Sequence, residues 1–205
     1  KTGSGKTASY VLPILTNLQG KTRTKNRHVN VLVLVPTREL AGQVKGVFQQ
    51  FGSILPDRVK TIAVFGGVSI NTQMQAMQNV NVLVATPGRL LELVESNAVH
   101  LSSISALVLD EADKMLNLGF KEEMDKIFNL LPKKRQNLLF SATLSEKVNN
   151  INQVLLDNPA VIKIASEENN IDLINQSAYY INEDKKGPLL RYLIKHNNMQ
   201  QVLVF

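Results

Sequence analysis

Short runs rich in β-branched residues alternate along the chain with stretches of helical pattern. Residues 29–35, 60–65, 80–85, 104–109, 136–140 and 160–164 are expected as strands. Residues 6–18, 39–51, 70–77, 89–95, 112–116, 122–130 and 146–155 are expected as helices. Apolar strands separated by helices predict an α/β fold, a parallel sheet with helices on both faces. Ligands of such sheets bind outside the carboxyl ends of the strands. The distinctive stretches fall there: PTREL after the first strand, GG after the second, TPGR after the third, DEAD after the fourth and SAT after the fifth. The pattern breaks at SEENN, residues 166–170, which reads as a linker. Beyond it a strand (176–181), a helix (187–195) and a last strand (QVLVF, 201–205) read as the beginning of a second α/β unit. The expected division is therefore 1–165, 166–170 and 171–205.

Composition changes this picture little. The chain has 205 residues, 44% of them hydrophobic, enough for a sizeable core. An excess of 23 Lys and Arg over 17 Asp and Glu gives a net charge of +6, which weakly favours a polyanionic partner. There is no Cys, so disulfides and thiolate metal sites are excluded, and the three His show no metal spacing. The longest apolar run, residues 29–35, is too short to span a bilayer, so no membrane partner is expected.

The chain opens KTGSGKT. Gly5, Lys6 and Thr7 fill the last positions of a phosphate-binding loop, and Thr2, Gly3 and Ser4 precede them. Glycines let backbone N–H groups approach phosphate oxygens at a helix start. Lys6 would reach the β and γ phosphates, and the Thr7 hydroxyl would ligate Mg²⁺. In ALVLDEADKML an apolar strand ends in Asp110 and Glu111. Asp110 stands where a P-loop enzyme holds Mg²⁺. Glu111 beside it can orient or deprotonate a water. Taken alone, the acidic pair is an ordinary helix cap and the opening a glycine-rich turn. Their joint occurrence favours the chemical reading.

DEAD at Asp110 to Asp113 resembles the signature of the DEAD-box ATP-dependent RNA helicases. TGSGKT, PTREL, GG, TPGR and SAT occur in that family's order over nearly the whole chain. FGGVSINTQM, VLVATPGRLLELVESNAV and KRQNLLFSAT are most similar to the RhlE-type bacterial branch. The resemblance implies a RecA-like sheet, ATP and Mg²⁺ as cofactors, and a cytoplasmic protein. It implies that Pro36, Thr37, Arg38, Gly66, Gly67, Thr86, Pro87, Gly88 and Arg89 bind the sugar–phosphate backbone of RNA. Such contacts carry no base code. It also implies that Ser141 and Thr143 bond near Asp113 and couple nucleotide state to domain closure. Partners in ribosome assembly or RNA degradation fit such proteins, and the sequence names none.

Blander readings remain for single motifs. TPGR alone is a helix start with proline in its first turn. Arg38 and Glu39 alone are a solvated helix end, and SAT alone is an N-cap region. The basic loop at residues 20–28 and PKKRQ at 132–136 read as solvated turns. An upstream adenine-recognition motif and the second domain's arginine finger do not occur in the chain. The opening therefore leads us to expect a fragment cut at both ends, inactive by itself. A DNA helicase and a non-hydrolysing RNA clamp are the alternatives. PTREL, DEAD and SAT weigh against the first; Lys6, Asp110 and Glu111 weigh against the second.

Overall fold

The computed structural model describes residues 5–20, 26–143, 158–163 and 175–204. The chain divides into two compact units, Lys1–Pro159 and Ala160–Phe205. In the first unit the order is α1 (Lys6–Leu18), β1 (Val31–Leu34), α2 (Arg38–Gly52), β2 (Thr61–Val64), α3 (Ile70–Ala76) and β3 (Val82–Ala85). It continues with α4 (Pro87–Glu95), β4 (Ala106–Leu109), α5 (Ala112–Asn117), α6 (Lys121–Leu130) and β5 (Gln136–Leu139). The five strands form one sheet of order β2-β3-β1-β4-β5, and every pairing is parallel.

The strands β1, β3 and β4 read VLVL, VLVA and ALVL, and every residue in them is buried. Successive side chains of a strand point to opposite faces, so the alternation sorts these residues by shape. Val31, Val33, Val82, Val84, Ala106 and Val108 pack with α1 and α2 through Tyr10, Ile14, Ala41, Val44 and Phe48. Leu32, Leu34, Leu83, Leu107 and Leu109 face the other way, onto Leu90, Leu93, Met115, Met124 and Ile127 of α4, α5 and α6. The register keeps like with like: Val31 opposes Val82 on one side and Ala106 on the other, while Leu32 opposes Leu83 and Leu107. A one-residue slip of β1 would put leucine into the valine layer and valine into the leucine layer.

The helix starts are encoded locally. Thr37 caps α2 by accepting the Leu40 N–H at 3.3 Å. Thr86 precedes α4, whose first residue is Pro87. Gly5 precedes α1 at φ 75°, a conformation that favours glycine. Helix α1 runs through Pro13, which is exposed.

In the second unit a 3₁₀ turn (Glu183–Lys185) leads into α7 (Lys186–His196). Three expected strands are not found. Residues 160–163, 176–181 and 201–204 are exposed and join no sheet. A strand is held by its ladder, and an apolar run without a pairing partner does not make one. The expected helix 146–155 and the linker 166–170 lie outside the described residues.

Candidate functional site

All five strands are parallel, so their carboxyl ends share one edge of the sheet. Strand order then decides which loops are neighbours. The ends of β2, β3 and β1 carry Gly66–Gly67, Thr86–Arg89 and Pro36–Arg38 side by side. The ends of β4 and β5 carry Asp110–Glu111 and Ser141–Thr143. The edge is thus divided between a glycine-and-basic half and an acidic half.

On the acidic half, the Asp110 N–H donates to Leu34 O at 3.0 Å, which extends the ladder by one residue. Asp110 is 4% exposed. Tyr10 Oη, from α1, donates to Asp110 Oδ2 at 2.9 Å. Burial pushes the Asp110 carboxyl above the ordinary aspartate range and the Glu111 charge adds to this, while the Tyr10 bond and the Lys6 charge act in the opposite sense. Glu111 has φ 53° and ψ 50°, the left-handed region that a non-glycine residue occupies only at a cost. Its carbonyl accepts the N–H groups of Lys114 and Met115, and its carboxylate pairs with Lys114 Nζ at 3.4 Å. The kink turns the chain sharply from β4 into α5.

Gly5, Lys6, Thr7, Asp110, Glu111 and Asp113 line one cavity of about 600 Å³, with Gln43 and Gln50 of α2 on another part of its wall. Thr2, Gly3 and Ser4 lie outside the described residues. Next to the cavity, Thr143 Oγ1 donates to Asp113 Oδ2 at 3.0 Å, and Ser141 Oγ donates to the Thr143 carbonyl at 2.6 Å. Burial alone would raise the Asp113 pKa, but bonds from Thr143, Ser141 and the backbone N–H groups of Lys114 and Ala142 hold it below the ordinary range.

On the other half, Arg38 is exposed and, among the described residues, pairs with its neighbour Glu39 at 2.7 Å. A Cβ added to Gly67 would lie 3.8 Å from Arg38 Nη1, and Gly67 has φ +83°. The PTREL and GG loops therefore meet, and glycine is required there by backbone conformation. Arg89 is different. Its side chain is 8% exposed, Nε binds Glu92 at 2.8 Å, and Nη1 is buried with no hydrogen-bond partner among the described residues. Thr37 is committed to its helix cap, Pro36 is buried, and Thr86 makes no side-chain cap bond.

Residues 1–151 match the DEAD/DEAH box helicase family. The chain belongs to this family. Among its relatives is the DEAD-box ATP-dependent RNA helicase RhpA of Helicobacter pylori, 39% identical over all of this chain and 40% of its own length. The DEAD-box ATP-dependent RNA helicase CshA of Streptococcus pneumoniae is 38% identical over all of this chain and 38% of its own length. The ATP-dependent rRNA helicase RRP3 of Coccidioides immitis is 38% identical over all of this chain and 43% of its own length. The crystal structure of a DEAD box protein from Methanococcus jannaschii matches with a TM-score of 0.73 and 34% identity, over 95% of this chain and 51% of that one. The yeast DEAD-box splicing factor Prp28 matches with a TM-score of 0.68 and 31% identity, over 75% of this chain and 37% of that one. The parallel sheet with its helices is thus the RecA-like layer of DEAD-box helicases. These relatives carry the family and do not single out the RhlE-type branch. The chain spans about 40% of the length of RhpA.

Tyr10 is the site residue that motif reading passes over. Its signal is a hydroxyl-bearing aromatic one turn after Thr7, among apolar residues whose positions face the sheet. A buried tyrosine hydroxyl needs a partner.

Proposed function

We propose that this DEAD-box chain supplies the nucleotide-binding unit of a cytoplasmic ATP-dependent RNA helicase. Residues 1–165 form that first RecA-like domain, 166–170 a linker, and 171–205 the beginning of the second. The observation that carries the reading is the convergence of Lys6, Thr7, Asp110 and Glu111 on one cavity at the carboxyl edge of the sheet.

The residues fit ATP with Mg²⁺. A buried carboxylate pushed up in pKa by desolvation is stabilised by a cation, and Asp110 is such a group. The donors are oxygens, as a hard cation requires. No group of three or more His, Cys, Asp or Glu placed to hold a metal occurs among the described residues. Mg²⁺ bound through one or two carboxylates and substrate phosphates needs no such cage. Lys6 and the N–H groups at the start of α1 would bind the phosphates, and Thr7 and Asp110 would hold the metal. Bound there, Mg²⁺ supplies charge neutralisation at the transferring phosphoryl group. Glu111 orients a water for in-line attack and takes its proton, so no covalent protein intermediate forms. By the sequence pattern, Thr2, Gly3 and Ser4 are assigned to the same phosphate-binding motif.

On the other half, Arg38, the Gly66–Gly67 turn and the N–H groups at the start of α4 bind the backbone of one RNA strand, without reading bases. The burial of Arg89 favours a role in holding that start in place. Asp113, Ser141 and Thr143 link the two halves to domain closure. No helix among the described residues is long and apolar enough to cross a membrane.

The test is Glu111→Gln. It should keep ATP affinity in this chain. It should lower RNA-stimulated phosphate release by roughly 10²–10⁴-fold in a helicase that carries this segment in place of its own. Turnover near that of the unmutated chimaera would sink the assignment.

A further inference from the structure

Tyr10 lies on the buried face of α1, 1% exposed. Its ring is wedged between Phe140, after β5, and Phe48 of α2, with centroids 5.1 and 6.4 Å away. Phenylalanine would fill this space as well. The hydroxyl is the part that packing does not explain, because an oxygen placed in a core costs stability unless it is bonded. It is bonded across the fold: it donates to Asp110 Oδ2 at 2.9 Å, across 100 positions of sequence. The phenol therefore engages one oxygen of the carboxylate assigned to Mg²⁺.

We propose that Tyr10 is a positioning residue for the metal site, setting the carboxylate plane of Asp110 before nucleotide and Mg²⁺ arrive. The proposal rests on the assignment of Asp110 as a metal ligand. The terminal torsion of an aspartate is soft, so its plane is set by what its oxygens bind. With Oδ2 engaged by Tyr10, the other oxygen remains for a cation. The aromatic wedge holds the hydroxyl still, since the ring cannot swing without displacing Phe48 or Phe140. Loss of an outer partner of this kind typically weakens metal affinity about 10–100-fold.

The experiment is a Mg²⁺ titration of fluorescent-ATP-analogue binding to the 205-residue chain, with an EDTA baseline, for wild type, Tyr10→Phe, Asp110→Asn and the double variant. Tyr10→Phe should raise the half-saturating Mg²⁺ concentration about tenfold and leave affinity in EDTA unchanged. Added to Asp110→Asn it should do nothing more, because the group it positions is gone. Tyr10→Phe with the wild-type Mg²⁺ midpoint would overturn the proposal and leave the ligand assignment standing. Equal losses with and without Mg²⁺ would also overturn it, by showing a packing role. Identical Mg²⁺ responses of wild type and Asp110→Asn would remove the ligand assignment, and the proposal with it.

Discussion

Glycine is normally a worse residue than alanine by about 0.5–1 kcal/mol, because it has more freedom to lose on folding. At position 111 the order should reverse. Glu111 sits at φ 53° and ψ 50°, where an L-residue with a Cβ is disfavoured by roughly 1–2 kcal/mol. Alanine keeps that strain and glycine removes it. Setting the relief against the entropy, Glu111→Gly should be more stable than Glu111→Ala by about 1 kcal/mol. Both variants lose the ion pair to Lys114. That pair is 3.4 Å long with side chains 33% and 55% exposed, worth little and equally absent from both. Both also relieve the repulsion between the Glu111 and Asp110 charges. The difference between the two variants is then the strain relief less the entropy cost of glycine. A difference of this size moves the unfolding temperature by roughly 2–4 °C for a chain of this length. The assay is urea denaturation of the 205-residue chain followed by circular dichroism, with equal slopes required of both variants. Alanine as stable as glycine, or more so, would refute the strained turn. The expected result has a functional corollary. The substitution that stabilises the fold removes the carboxylate assigned to water activation, so the strain would be held in place for chemistry and not for stability.

Two further predictions separate residues that share a motif class. Arg89→Ala should lower stability by about 1–3 kcal/mol, because a buried, partly unpaired guanidinium and its stem leave a gap; Arg38→Ala should leave the urea midpoint unchanged and instead weaken single-stranded RNA binding with a shallower salt dependence. The reverse pattern would exchange their roles. Thr143→Val should change how stability depends on pH. Asp113 is held below its ordinary pKa, so the folded chain binds fewer protons there than the unfolded chain. The resulting stability is fully present above the ordinary aspartate value and is lost as pH falls through the lowered one. Losing the Thr143 bond should narrow this loss, so the urea midpoints of variant and wild type should converge as pH falls from 6 toward about 3. Parallel curves would mean that the bond contributes nothing to the shift.

The layered part of the fold was legible because each strand carries its own signal. The runs that became β1 to β5 differ from expectation only at their ends, by one or two residues. Their flanking residues, such as Val29 and Val35, are fully buried yet lie outside the strand bounds, and composition cannot see where a strand stops. The same blindness explains the three expected strands that failed. Residues 176–181 and 201–204 have strand-like composition, but a ladder is a property of two segments and not of one. Motifs placed the site residues at strand ends without saying which ends are adjacent. The order β2-β3-β1-β4-β5 is the added information, and it comes from long-range packing. Arg38 and Arg89 look alike in sequence, and only burial tells them apart. Tyr10 was hidden for a different reason. Its partner Asp110 is 100 positions away, and nothing local distinguishes a tyrosine that bonds a carboxylate from one that merely packs.

The two halves of the edge are joined by α2. Its first turn carries Arg38, which reaches over the Gly67 turn on the proposed RNA side. Farther along, Leu40, Gln43, Val47, Gln50 and Phe51 line the proposed nucleotide cavity. Between these surfaces Ala41, Val44 and Phe48 anchor the helix in the valine layer of the sheet. The helix therefore meets the sheet on one face, the proposed nucleotide cavity on another and the proposed RNA surface at its tip. A helix of this length behaves as one stiff body, so a nucleotide that drew its far end toward Lys6 and Asp110 would also move Arg38 relative to Gly67. Such a dependence runs both ways, since coupling between two binding sites is reciprocal. Phe48 is the pivot of α2. It touches Tyr10 as well as the sheet, so the residue that steadies α2 also steadies the phenol that bonds Asp110. If both proposed sites are occupied, communication between them would need no chain of moving loops, because one helix, seated through Ala41, Val44 and Phe48, spans the distance.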